Sequence, residues 1–115
     1  MIALAGCAPQ IAREGLTNNT PAIASDAFIP RDGLRLPLRR WDADHPRAII
    51  VALHGMSDYS EAFDMPGPWW AQHGITTFAF DQRGFGAAPN PGVWAGADAM
   101  RADLNDFVDV AREKY

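Results

Sequence analysis

The run Arg47-Ala-Ile-Ile-Val-Ala-Leu-His-Gly55 constrains this chain more than any other stretch. Six consecutive apolar residues, Ala48 to Leu53, stop abruptly at His54-Gly55. An uninterrupted apolar run of strand length reads as a strand buried on both faces of a helix-covered sheet. In open α/β sheets the carboxyl ends of the strands carry ligands and chemistry. The loop after Leu53 is therefore the first place to look for a site.

The segments around that strand complete an α/β pattern. Asp26-Ala-Phe-Ile-Pro30 is a short extended segment, and Arg31-Asp32-Gly33 supplies a turn, Asp-Gly being a strong hairpin signal. Leu34-Arg-Leu-Pro-Leu-Arg-Arg-Trp41 alternates, with Leu34, Leu36, Leu38 and Arg40 on one face. Pro37 marks this strand as an edge or an irregular one. After the polar loop 42–46 and the apolar strand, Pro66-Gly67-Pro68 opens a short helix that ends near His73-Gly74. Ile75-Thr-Thr-Phe-Ala-Phe80, β-branched and aromatic, is the next interior strand. Strand, helix and strand in this order predict a βαβ unit with parallel pairing. From Ala97 onward Met100, Leu104, Phe107, Val108 and Ala111 form a helical stripe, with Asp98, Arg101, Asn105, Asp109 and Arg112 outside it.

Residues 8–25, rich in breakers and without a sustained period, read as a linker ahead of a partial domain over 26–115. With 115 residues the chain has room for one small domain. Its net charge of -4 and the lack of any Lys or Arg run exclude nucleic acid as an expected partner. A single cysteine, Cys7, excludes an internal disulfide and any multi-cysteine metal site, and no metal or cofactor is expected. Leu4-Ala-Gly-Cys7 resembles a bacterial lipobox, which implies a lipoprotein signal over 1–7, a lipid on Cys7 and attachment to the membrane of the cell envelope. Only six residues precede Cys7, none charged, whereas a signal peptide has a basic start and an apolar core of about 7–15 residues. Two readings stay open: a start recorded too late, or a chance match that leaves a free thiol in a cytoplasmic protein. Asn18-Asn19-Thr20 fits a glycosylation sequon, but nothing else points to a secreted eukaryotic protein.

Two apolar strands thus end in Leu53-His-Gly-Met-Ser-Asp-Tyr-Ser60 and Phe80-Asp-Gln-Arg-Gly-Phe-Gly86, with Gly92-Val-Trp94 following. This arrangement resembles the N-terminal part of an α/β-hydrolase fold, in particular the lysophospholipase and monoacylglycerol lipase-like group with its serine aminopeptidase (S33) type domain. His-Gly alone is common; Asp-x-Arg-Gly-x-Gly is more specific, and its order after the hairpin and across one βαβ unit makes the combination specific. The resemblance implies an α/β fold made of an antiparallel lead-in hairpin and then βαβα, with an incomplete sheet. It also implies that the 47–53 strand lies between the 75–80 strand and an absent nucleophile strand, with its other edge open. Epoxide hydrolases and dehalogenases share Asp-x-Arg-Gly-x-Gly but usually carry proline where Ser57 stands here.

The implied activity is hydrolysis of carboxylic esters, of lysophospholipid or monoacylglycerol type, through an acyl-enzyme. Such chemistry puts negative charge on the former carbonyl oxygen, and preorganised N–H donors stabilise it. One donor comes from the loop after this strand and the other from the residue after the nucleophile. The resemblance places the first on the backbone N–H of Met56, with Gly55 letting the backbone turn and the substrate approach. His54 is read as a brace for that loop in preference to a proton-transfer group. Asp81, Arg83, Gly84 and Gly86 are read as a loop-structuring set, Asp81 accepting backbone N–H bonds and Arg83 reaching carbonyls, in preference to a catalytic acid and an anion clamp. Asp103 is expected to tie its helix to a neighbouring loop. Phe85 and Trp94 are the candidates for an acyl pocket; Trp69 and Trp70 belong to the core and surface of the short helix.

His54, Ser57 and Asp58 are too close in sequence to form a triad, which is assembled from distant segments. No Gly-x-Ser-x-Gly occurs in these 115 residues, so nucleophile, acid and base are expected outside them. By itself the chain is expected to be poorly soluble or molten and without esterase activity. The alternative is a non-catalytic, lipid-anchored half-domain that serves as a binding module.

Overall fold

Asp32-Gly33 folds the chain back on Pro30. The Gly33 N–H donates to the Pro30 carbonyl at 2.8 Å, with Gly33 at φ +77°. This hairpin belongs to a computed structural model that describes residue 11 and residues 15–115; the lipobox at Cys7 lies outside the described residues. The turn joins β2 (Ala27–Ile29) to β3 (Leu36–Trp41), which pair antiparallel with Phe28 opposite Leu36. A further strand, β1 (Ala22–Ile23), pairs with β2 and buries Ile23. The linker expected over 8–25 therefore ends inside the sheet. A two-residue strand carries no period from which it could be read.

The alternation of β3 holds, with Leu36 and Leu38 buried and Arg39 exposed. Of the two readings of Pro37, an edge or an irregular strand, the edge fails, because the sheet runs β1-β2-β3-β5-β4 and β3 is interior, and the irregular strand is what the structure shows. Pro37 is tolerated because β3 changes partner there. It faces β2 through Pro37 and β5 (Ile75–Phe80) from Leu38 to Trp41. The missing N–H falls at the switch, and the Pro37 carbonyl accepts the Asp81 N–H at 2.8 Å.

β4 (Ala48–Ala52) runs parallel to β5, with Ile50 opposite Thr77, and the crossover passes through a 3-10 turn over Ser60–Phe63 and α1 (Pro66–Gln72). The strand expected to be buried on both faces is the one the described residues cover least. Ala48 and Ile49 are exposed, Ile50 and Val51 half-buried, and only Ala52 is buried. Among the described residues β4 has a single ladder partner. A groove of about 780 Å³ lies between it and α2 (Ala97–Lys114), floored by Ile49, Val51, Val108 and Ala111. β5, flanked on both sides, is buried from Thr76 to Phe80.

The core is aromatic. Phe28, Phe78 and Phe80 pack around Phe107 of α2 with ring centroids 5.0 to 5.5 Å away, Phe28 and Phe78 edge-on and Phe80 stacked, the arrangements that aromatic rings favour. The buried face of α2 is Ala99, Asp103, Asp106, Phe107 and Ala111, while Met100, Leu104 and Val108 of the expected stripe are half-buried. The face is turned toward two aspartates, because arginines from two loops reach them.

Candidate active site

The loop after β4 is a tight turn. Gly55 O accepts the Asp58 N–H at 3.3 Å, and Ser57 sits at φ +62°. A positive φ confined to the third residue marks a type II turn over residues 55–58. Gly55 itself does not take a positive φ, so the turn does not require its conformational freedom, contrary to expectation. What its lack of a side chain leaves is space, since a Cβ there would meet nothing within 4 Å. Met56 is 72% exposed, and its N–H has no hydrogen-bond partner among the described residues.

His54 is buried and fully engaged. Its Nε2 accepts the Gln82 N–H at 3.0 Å, and its Nδ1 lies 2.9 Å from Gly55 O. A carbonyl only accepts, so Nδ1 carries the proton and the ring is the neutral Nδ1–H tautomer. No ring lone pair is left to take a proton from a nucleophile. Gln82 Nε2 also donates to His54 O at 2.8 Å, and Phe85 meets the imidazole edge-on at 5.4 Å. Ser57 and Asp58 make no hydrogen bond to His54 among the described residues.

Asp81 joins the loops after β4 and β5. Its Oδ1 accepts the Ser60 N–H and its Oδ2 the Ala87 N–H, each at 2.9 Å. Gly86 must be glycine: it has φ +54°, and a Cβ would collide with the Asp81 carboxylate. Gly84, at φ +80°, passes against the Val93 backbone.

Arg83 does not span carbonyls as expected. Its guanidinium forks onto Asp103 of α2, Nε to Oδ2 and Nη2 to Oδ1 at 2.6 Å each, and Nη1 reaches Asp32 Oδ2 at 2.6 Å. Two carboxylates beside a planar fork satisfy it better than neutral carbonyls would. Asp103 thus ties α2 to this loop. A second tie, which no motif marks, is Asp106, which accepts the Arg31 N–H at 3.0 Å and pairs with the Arg31 guanidinium. The usable signal was the spacing of Asp103 and Asp106, one turn apart on a helix whose partners carry Arg31 and Arg83.

The electrostatics follow from the pairing. The Arg31 hydrogen bond holds the Asp106 carboxyl below its ordinary value against its burial. Burial pushes Asp32 upward, but hydrogen bonds from Arg83 and the Leu34 N–H outweigh it and leave Asp32 below its ordinary value. Burial wins at Asp103 and raises it despite Arg83. At Arg83 burial opposes the charge, yet the two carboxylates hold the guanidinium more firmly protonated than usual.

Trp94 is 39% exposed and forms an isolated bridge with Ile11. Neither it nor Phe85 lines the groove beside β4, which also lies away from residues 53–60. Trp69 is on the surface, stacked on His73 at 3.9 Å, and Trp70 is half-buried. Among the described residues no cluster of His, Cys, Asp or Glu could hold a metal ion, and no helix is long and apolar enough to cross a membrane.

Comparison with known proteins agrees with this architecture. The family model described as serine aminopeptidase, S33, matches residues 44–115. Among solved structures, the α/β hydrolase GrgF from Penicillium sp. sh18 is similar at 28% identity and a TM-score of 0.61, over 73% of this chain. The match covers 30% of that chain's length. No curated protein gives a significant match. Among the described residues, the five strands and two helices are the N-terminal part of an α/β-hydrolase fold, with an incomplete sheet.

Proposed function

Since this chain belongs to the serine aminopeptidase S33 family, we propose that it forms the oxyanion side of a serine hydrolase that cleaves carboxylic esters of single-chain lipids. The observation that carries the reading is the unclaimed Met56 N–H beside the open space at Gly55. A serine hydroxyl attacking an ester carbonyl there would drive charge onto the carbonyl oxygen, and a fixed N–H stabilises that charge, the more so once water is excluded. Gly55 leaves room for the substrate, and Ser60 and Asp81 hold the loop from its far end. Serine, general base and its orienting acid come from chain outside these residues in this proposal, because His54 is committed to the loop.

Two apolar side chains near the donor, Met56 and Phe85, support an acyl group over a charged peptide terminus. The Met56 side chain stands in solvent beside the turn, and Phe85 lies against His54. With the match covering 30% of the solved hydrolase, activity is proposed for the whole protein as encoded. A fluorophosphonate probe should label it on serine, and p-nitrophenyl esters of medium chain length should turn over faster than the acetate and faster than aminoacyl p-nitroanilides. Preference for the anilides would replace the esterase by a peptidase. Neither labelling nor turnover would leave the non-catalytic binding module.

A further inference from the structure

We propose that Gln82 is a positioning residue that aims the Met56 N–H, an inference that rests on the oxyanion reading above. The side chain touches nothing that reacts. It acts on the peptide planes of the turn.

The Gly55–Met56 peptide is trans, so its N–H points opposite to its C=O. Fixing one fixes the other. Gly55 O is held by two donors, the Asp58 N–H at 3.3 Å and the His54 ring at 2.9 Å. The ring in turn is held by the Gln82 N–H on Nε2 at 3.0 Å. The preceding peptide is held directly, since Gln82 Nε2 donates to His54 O at 2.8 Å. Gln82 therefore grips His54 at both ends, ring and carbonyl, from the strand end next door.

The grip matters because of what sits between the two planes. Gly55 has open space around it and no Cβ to restrict rotation. A glycine hinge between the braced His54 and the donor Met56 would let the 55–56 plane turn over, pointing the carbonyl instead of the N–H at the substrate. Pinning the carbonyls on both sides removes that freedom before substrate arrives, which is what preorganisation requires. The cost of the small residue that admits substrate is thus offset by the glutamine. Nothing in the local pattern singles out residue 82, the variable position of Asp-x-Arg-Gly.

Gln82→Ala deletes the bond to His54 O and keeps the backbone bond to the ring. Gln82→Met keeps the length and approximate size of the side chain and removes the donor without adding a charge. In the whole protein both variants should lower kcat for p-nitrophenyl esters about 10- to 100-fold, less than the loss on deleting an oxyanion donor outright, with KM changed less than about two-fold. Both should also show microsecond-to-millisecond exchange at the Gly55 and Met56 amides by NMR relaxation dispersion, absent in the parent. Unchanged kcat in a parent that turns over esters would overturn the inference and leave the hydrolase reading standing, as would a loss that merely tracks a lowered Tm. If the parent shows no turnover, the hydrolase reading fails, and the NMR arm still decides the grip: exchange in the variants upholds it, and quiet amides overturn it.

Discussion

The two flanks of the sheet reverse what their compositions suggest. Around β2, β3 and α2 the interior holds Asp32, Arg83, Asp103 and Asp106 beside the phenylalanine cluster, so charges lie inside. Along β4 an almost wholly apolar strand faces solvent and a groove, so hydrocarbon lies outside. The first flank is closed by directional pairs that join segments far apart in sequence, Arg31 with Asp106 and Arg83 with Asp32 and Asp103. The second is apolar without anything described to close it. Apolar content therefore reports the surroundings a strand is suited to, whereas burial depends on what packs against it.

The contrast breaks most severely at Arg83. Replacing it with alanine leaves Asp103 and Asp32 buried without their cation, and removing one partner of a buried pair costs about 3–5 kcal/mol. That is comparable to the whole stability of a small domain. In the whole protein Arg83→Ala should lower Tm by the equivalent of that loss, and a loss below about 1 kcal/mol would mean the flank is held by hydrocarbon alone.

Acid should act on the same flank. Asp106 and Asp32 have folded-state values below their ordinary ones, so their stabilisation is full above the unfolded value near 4 and is lost as pH falls through the folded values. Asp103 is raised, so its contribution is present below the unfolded value and lost as pH rises through the folded one, which softens the decline without reversing it. Tm should fall between about pH 5 and pH 2, and Asp106→Asn should flatten that slope. A Tm that climbs on acidification would contradict the pairing.

The open flank should be nearly indifferent. Ile49 is 37% exposed on β4, so in the 115-residue chain by itself Ile49→Lys should raise solubility and leave the far-ultraviolet circular dichroism unchanged. A loss of helical signal in the variant would show that something covers β4 in solution.

The readable parts of the fold are the local ones. The alternation of Leu36 and Leu38, the Asp32-Gly33 turn and the order of Ala48–Ala52, Pro66–Gln72 and Ile75–Phe80 each follow from a few neighbouring residues. What could not be read depends on partners distant in sequence. Pro37 is interior because β3 changes neighbour there, and α2 buries Asp103 and Asp106 because Arg83 and Arg31 arrive from elsewhere. At the site, His54-Gly55-Met56 stood out as a motif, while Gln82 acts through two hydrogen bonds that no spacing encodes.

The most direct test of the account is removal of the Met56 N–H without disturbing the turn that carries it. Met56 is the second residue of the type II turn, a position where proline fits, so Met56→Pro deletes the donor with little change in backbone. In the whole protein, with fold checked by circular dichroism and Tm, kcat for p-nitrophenyl esters should fall about 100- to 1,000-fold. A folded Met56→Pro variant that keeps kcat within about two-fold of the parent would contradict the assignment of this loop as the oxyanion donor.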